Sequence, residues 1–159
     1  MFTMSAVEII QTILAPAIMI SSCGLILLGL QNRYSNIVTR IRSLNDERRR
    51  LQKKITFNQD MEYSESIRFH SIRQQIYELS DRALLIRNAI FFEILAVLFF
   101  VLACLLIGIY FVFENPITQI LPLISFLLGM ISVFTGLIFF GIEILRAYKV
   151  VQLEIIAEE

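Results

Sequence analysis

The chain has 159 residues, 57% of them apolar and 18% charged, with 14 basic and 14 acidic side chains that cancel to zero net charge. A soluble domain carries about a quarter charged residues, so this composition argues against one, and the balanced charge gives no global field to attract nucleic acid or an acidic partner. Two cysteines, Cys23 and Cys104, are too few for a disulfide framework or a zinc-ligand pattern, and both lie inside apolar runs as small fillers.

The first apolar run extends from about Val7 to Leu30, long enough for a membrane span, which needs ~20 helical residues. Ser5 and Glu8 have capping-box spacing, which predicts a retained helix starting at Ala6 and a first transmembrane helix over 6–30. Ile20 to Cys23 resembles a lipoprotein cleavage box, but Met1 to Glu8 has no Lys or Arg, whereas a signal peptide places its basic segment ahead of the apolar core. Along this run Ala15, Ser22 and Gly29 recur every seven residues, Gln11, Thr12 and Ser21 add polarity, and Pro16 offers a bend.

Residues 31–88 form a polar stretch with no Pro or Gly. Leu30, Tyr34, Ile37, Ile41, Leu44, Arg48, Leu51 and Ile55 alternate steps of four and three, and so do Phe69, Ile72, Ile76, Leu79, Ala83, Ile86 and Ile90. Thr56 to Tyr63 interrupts the pattern with turn-compatible residues. Two such seams predict a helical hairpin closing as an antiparallel coiled coil, its arms running on into the first and second spans.

A second transmembrane helix is predicted over 89–113 and a third over 117–142. Asn115 and Pro116 read as cap and first turn of the third helix; Pro122 then kinks it unless the helix begins there. Ser125, Gly129, Ser132 and Gly136 make a stripe of small residues, for close helix packing or for lining a narrow pore. Residues 143–159 read as a C-terminal helix in which Ile144, Tyr148, Val151 and Ile155 repeat the seam.

Twelve of the fourteen Lys and Arg lie between Gln31 and Asn88, and the others are Arg146 and Lys149. The bias of basic residues toward cytoplasmic loops predicts an external N-terminus, with the hairpin and C-terminus in the cytoplasm. Tyr34, Tyr110 and Tyr148 fall near predicted span ends.

Charges within apolar spans are the first candidates for function, because each needs a partner or water. Glu93 lies about one turn inside the second span; Glu143 ends the third, with Arg146 three residues on. They read either as ion or proton ligands at the inner mouth of a pathway, or as anchors paired with Arg33, Arg87 or Arg146. Arg33, Arg40, Arg82 and Arg87 are placed to meet anionic headgroups. The run Arg48, Arg49, Arg50, Lys53 and Lys54 is balanced by neighbouring acids and reads as a solvated face. The only His is His70, and no Ser-His-Asp set, metal-spaced cluster or glycine-rich phosphate loop occurs. No catalytic residue, metal or cofactor is therefore expected.

The stretch Leu27 to Leu44, with Asn32-Arg33 just after the first span and Arg40 and Arg42 one helical stretch later, resembles the bacterial membrane family known as domain of unknown function 2721. The Arg-rich segment Asp81 to Ile90 and the closing pair Glu143 and Arg146 resemble its other landmarks. The resemblance implies a three-span protein of the bacterial cytoplasmic (inner) membrane and carries no biochemical activity. The expectation is thus an all-α membrane protein forming a homo-oligomeric channel-like or transport-related assembly, the alternative being a non-conducting scaffold or regulatory subunit whose coiled coil binds a partner.

Overall fold

In a computed structural model the backbone is described for residues 6–58, 63–113 and 116–157, and side-chain surroundings for 10–53, 67–110 and 120–147. The described backbone is three helices, α1 (Ala6–Asn58), α2 (Tyr63–Phe113) and α3 (Pro116–Ala157). With neither Pro nor Gly between Gln31 and Asn88, nothing in that stretch interrupts the helical ladder of α1 or α2. α3 begins at Pro116, where a missing N–H is harmless, and Pro122 lies inside it as a buried interior residue. The cap residues Ser5 and Asn115 and the surroundings of Tyr148, Val151 and Ile155 lie outside the described residues.

Each helix contributes to two compact units, one built from residues 1–30 and 88–140, the other from 31–87 and 141–159. All three helices include stretches long and apolar enough to cross a membrane.

The first unit is inverted relative to a soluble domain. Large apolar side chains such as Leu25, Leu98, Leu105, Ile131 and Phe134 are exposed, while Cys23, Glu93, Ala96, Ser125 and Ser132 are buried. So much exposed apolar surface suits lipid and not water, and small buried residues let helices approach where dispersion packing replaces the hydrophobic effect. Cys23, Ala96 and Phe100 form the core, joined by Met19, Ile20, Phe126 and Val133.

In the second unit Ile37 and Leu44 of α1 and Ile72 and Ile86 of α2 are buried, with Tyr34, Ile41, Ile76, Leu79 and Ala83 half-buried. An exposed ion pair from Arg68 Nε to Glu47 Oε1, 3.0 Å long, joins the two helices there.

One spacing recurs on every helix. Buried residues fall at Pro16, Cys23, Leu30, Ile37 and Leu44 on α1, at Ile86, Glu93, Phe100 and Ile107 on α2, and at Pro122, Gly129, Gly136 and Glu143 on α3. A seven-residue step keeps one face of a helix inward over many turns. Two of these inward positions hold a glutamate.

Candidate functional site

Glu143 occupies the last inward position of α3 in the second unit and is completely buried. Its Oε2 accepts a 3.0 Å hydrogen bond from Arg33 Nη1 of α1, and its Oε1 accepts bonds of 3.1 and 2.8 Å from Arg82 Nε and Nη2 of α2. Charge-assisted bonds of this geometry are among the stronger ones in proteins. Both arginines keep access to solvent: the Arg33 side chain is 47% exposed and that of Arg82 23%. With both oxygens engaged, this carboxylate fastens three helices together. Arg87 and Arg146, the other candidate partners, are exposed and take no part in these bonds.

Glu93 of α2, in the first unit, is equally buried and differently placed. Neither of its oxygens has a hydrogen-bond partner among the described residues. The thiol of Cys23 on α1 adjoins it. Opposite, on α3, stands Gly136, where a Cβ would lie 3.3 Å from Glu93 Oε1 and 3.3 Å from the Ala89 carbonyl oxygen. The Glu93 carboxyl group and the Ala89 carbonyl thus border Gly136 closely, where a larger residue would crowd them. None of Arg33, Arg87 or Arg146 belongs to this unit. Burying a polar group without a partner is costly in hydrocarbon, so this arrangement carries chemical capacity that the fold itself does not use.

The small residues of α3 are taken up by packing against α2. Ser125 Oγ donates 2.8 Å to the Phe99 carbonyl and Ser132 Oγ 2.6 Å to that of Phe92. A Cβ at Gly129 would stand 2.7 Å from Phe100 Cε1, so only glycine lets that ring sit where it does. Phe92 and Phe139 stack with centroids 5.6 Å apart. Ala15, Ser22 and Gly29 are exposed on α1; Ser22 Oγ donates to the carbonyl of Ile18 in its own helix, and nothing lies within 4 Å of a Cβ at Gly29.

Sequence reasoning picks out both glutamates and the α3 stripe, and places Arg82 at a headgroup and Cys23 as filler. The inward spacing holds the missing signal: Cys23 is seven residues before Leu30, and Arg82 is four before Ile86.

Three apolar helices, an inside of small residues and an outside of large ones define a multi-pass helical membrane protein. The chain belongs to the family described as Protein of unknown function (DUF2721), whose profile matches residues 13–153. No curated protein and no solved structure shows a significant match to the chain.

Proposed function

We propose that the protein is a non-conducting membrane scaffold or regulatory subunit, with residues 31–88 forming a coiled-coil hairpin in the bacterial cytoplasm that binds a partner protein. The observation that carries this reading is the Glu143 node: the charge at the end of the third span is fully engaged by Arg33 and Arg82, which suits a rigid junction and leaves no ligand for a passing ion. The small stripe of α3, the other feature suited to a pore, packs against α2 within one chain, Ser125, Gly129 and Ser132 on Phe99, Phe100 and Phe92 and Gly136 on Ala89 and Glu93. The seven-residue burial along α1 and the seam of α2 support the hairpin. The basic residues of 31–88 support its cytoplasmic placement and an external N-terminus. Arg40 and Arg87 are exposed, and Arg33 partly so, which suits contact with anionic headgroups. The open face of Ala15, Ser22 and Gly29 suits contact with a second copy, giving a homo-oligomer.

A second reading, a channel-like or transport-related assembly, is favoured by one observation, the unpartnered Glu93. Purified protein in liposomes decides between the two. The scaffold gives no flux of common cations or anions across a range of pH, whereas flux that changes selectivity in Glu93→Gln establishes conduction. Photo-crosslinkers at the exposed positions Arg49 and Gln74 are expected to capture a protein in cells, and one at Leu25 only lipid or another copy. In a background without Cys23 and Cys104, a cysteine at Arg49 should resist membrane-impermeant labelling in intact cells while one at Asn115 reacts; the opposite pattern reverses the orientation.

A further inference from the structure

The polar surface of the second unit holds two grooves of nearly equal size and different charge. One, of about 540 Å³, is lined by Arg42, Arg50, Asp46 and Glu47, whose charges cancel, and Glu47 is already held by Arg68 at 3.0 Å. The other, of about 550 Å³, is lined by Arg48 of α1 and by His70, Arg73, Gln74, Tyr77 and Ser80 of α2. No carboxylate lines it, and Arg48, His70 and Arg73 have no ion pair or hydrogen bond among the described residues. Glu78 and Asp81, the acids of α2 in this stretch, stand outside the lining, and Glu78 Oε1 accepts a 3.3 Å bond from Gln74 Nε2. We propose that this groove docks an acidic, carboxylate-bearing segment of the partner protein, an inference that rests on the reading of residues 31–88 as a partner-binding hairpin.

Arg48 stands four residues after the buried Leu44, at a seam position suited to an apolar side chain, and is itself half-buried. A charged residue in a seam weakens a coiled coil, and no carboxylate among the described residues pairs with this one. On α2, His70, Arg73, Gln74 and Tyr77 follow steps of three, one and three, which sets them along one helical face. Both permanently charged groups are arginines, whose planar fork takes a carboxylate on two parallel bonds. Tyr77 is 70% exposed beside them, and Arg and Tyr are residues that protein interfaces enrich while depleting Lys. Charge and residue type therefore select a carboxylate-bearing protein segment. Size agrees, because His70 to Ser80 extend over about 15 Å of helix, the reach of a peptide and not of a single phosphate. Arg48 also lies about 27 Å of helix beyond Leu30, unlike Arg33 and Arg40, which follow the first span closely and suit headgroups.

Full-length protein in detergent and a fluorescent peptide with glutamates along one helical face test the groove, with a peptide carrying glutamine in their place as control. Fluorescence anisotropy should show the glutamate peptide binding at least about tenfold more tightly than the glutamine one, with affinity falling as salt is raised. Arg73→Glu and Arg48→Glu should each weaken that binding at least about tenfold. Arg42→Glu, the same charge change in the balanced groove, should leave it unchanged. Arg73 is exposed, so its variants keep the fold even where a change at Arg48 disturbs the seam, and Arg73→Lys should retain part of the binding. Equal affinity for the two peptides, or equal losses in Arg73→Glu and Arg42→Glu, overturns the proposal. So does a fluorophore at position 74 that responds to phosphatidylserine in liposomes and not to the glutamate peptide, since the groove then faces lipid. Photo-crosslinking at Arg49 in cells separates this failure from that of the scaffold reading. A partner captured equally in the wild type and in Arg73→Glu leaves the partner reading standing without the acidic segment, whereas no partner captured at any hairpin position removes the reading itself.

Discussion

Glu93 and Glu143 are chemically identical, both fully buried and both on the inward spacing of their helices, yet their surroundings are opposite. Glu143 accepts three hydrogen bonds from two arginines, and Glu93 has no hydrogen-bond partner among the described residues. The difference follows from what each unit has available. Residues 31–87 supply twelve basic side chains, while residues 10–30 and 88–140 supply none. A buried carboxylate among arginines becomes a structural fastening. One whose unit offers no arginine stays without such a fastening. Burial of a charge alone therefore does not distinguish structure from function; the inventory of partners does.

The comparison is broken most severely at Glu143. Glu143→Ala removes the carboxylate that accepts hydrogen bonds from both Arg33 and Arg82. Losing one half of a buried ion pair costs about 3–5 kcal/mol, and the exposure of Arg33 sets this case toward the lower end. Denaturant unfolding in detergent should show that loss, and Arg82→Gln should follow it more closely than Arg33→Gln, since Arg82 supplies two of the three bonds. Equal and small effects of all three would remove the node as a structural element.

Glycines sharpen the same contrast between occupied and open surroundings. Gly129→Ala drives a methyl group to 2.7 Å from Phe100 Cε1, and that ring is already packed against Phe126 with centroids 5.5 Å apart. Overpacking of this kind costs about 1–3 kcal/mol, read as a lower thermal midpoint. Gly29→Ala meets nothing within 4 Å and should leave chain stability unchanged or raised. Ser132→Ala removes one interhelical bond to the Phe92 carbonyl, an effect of about 0.6 kcal/mol by the average for such bonds in membranes. Loss much above that would mean that Ser132 also positions α3.

Three long helices were legible from the apolar runs, because each crossing needs ~20 apolar residues in a row and no fold-level knowledge. The two glutamates were legible because a charge inside such a run is unusual. Their partners were not. Arg146 is the local candidate for Glu143, three residues along the same helix, but it is exposed, and the arginines that bind come from α1 and α2, set by how the three helices meet. The α3 stripe was visible as a stripe, while its closure against Phe92, Phe99 and Phe100 depends on which neighbour it faces. Cys23 read as filler because no local feature marks it, and only proximity to Glu93 gives it chemical interest.

The smallest expected effect is at Glu93, and its smallness is the point. Glu93→Gln preserves the shape of the side chain and removes no hydrogen bond, since neither oxygen has one among the described residues. The unfolding free energy should therefore stay within about 1 kcal/mol of the wild type. The same substitution at Glu143 leaves two guanidinium groups with a neutral amide and should behave far worse. A loss at Glu93 comparable to that at Glu143 would mean that the carboxyl group is held by interactions as strong as those of the arginine node, and the contrast between the two glutamates would collapse.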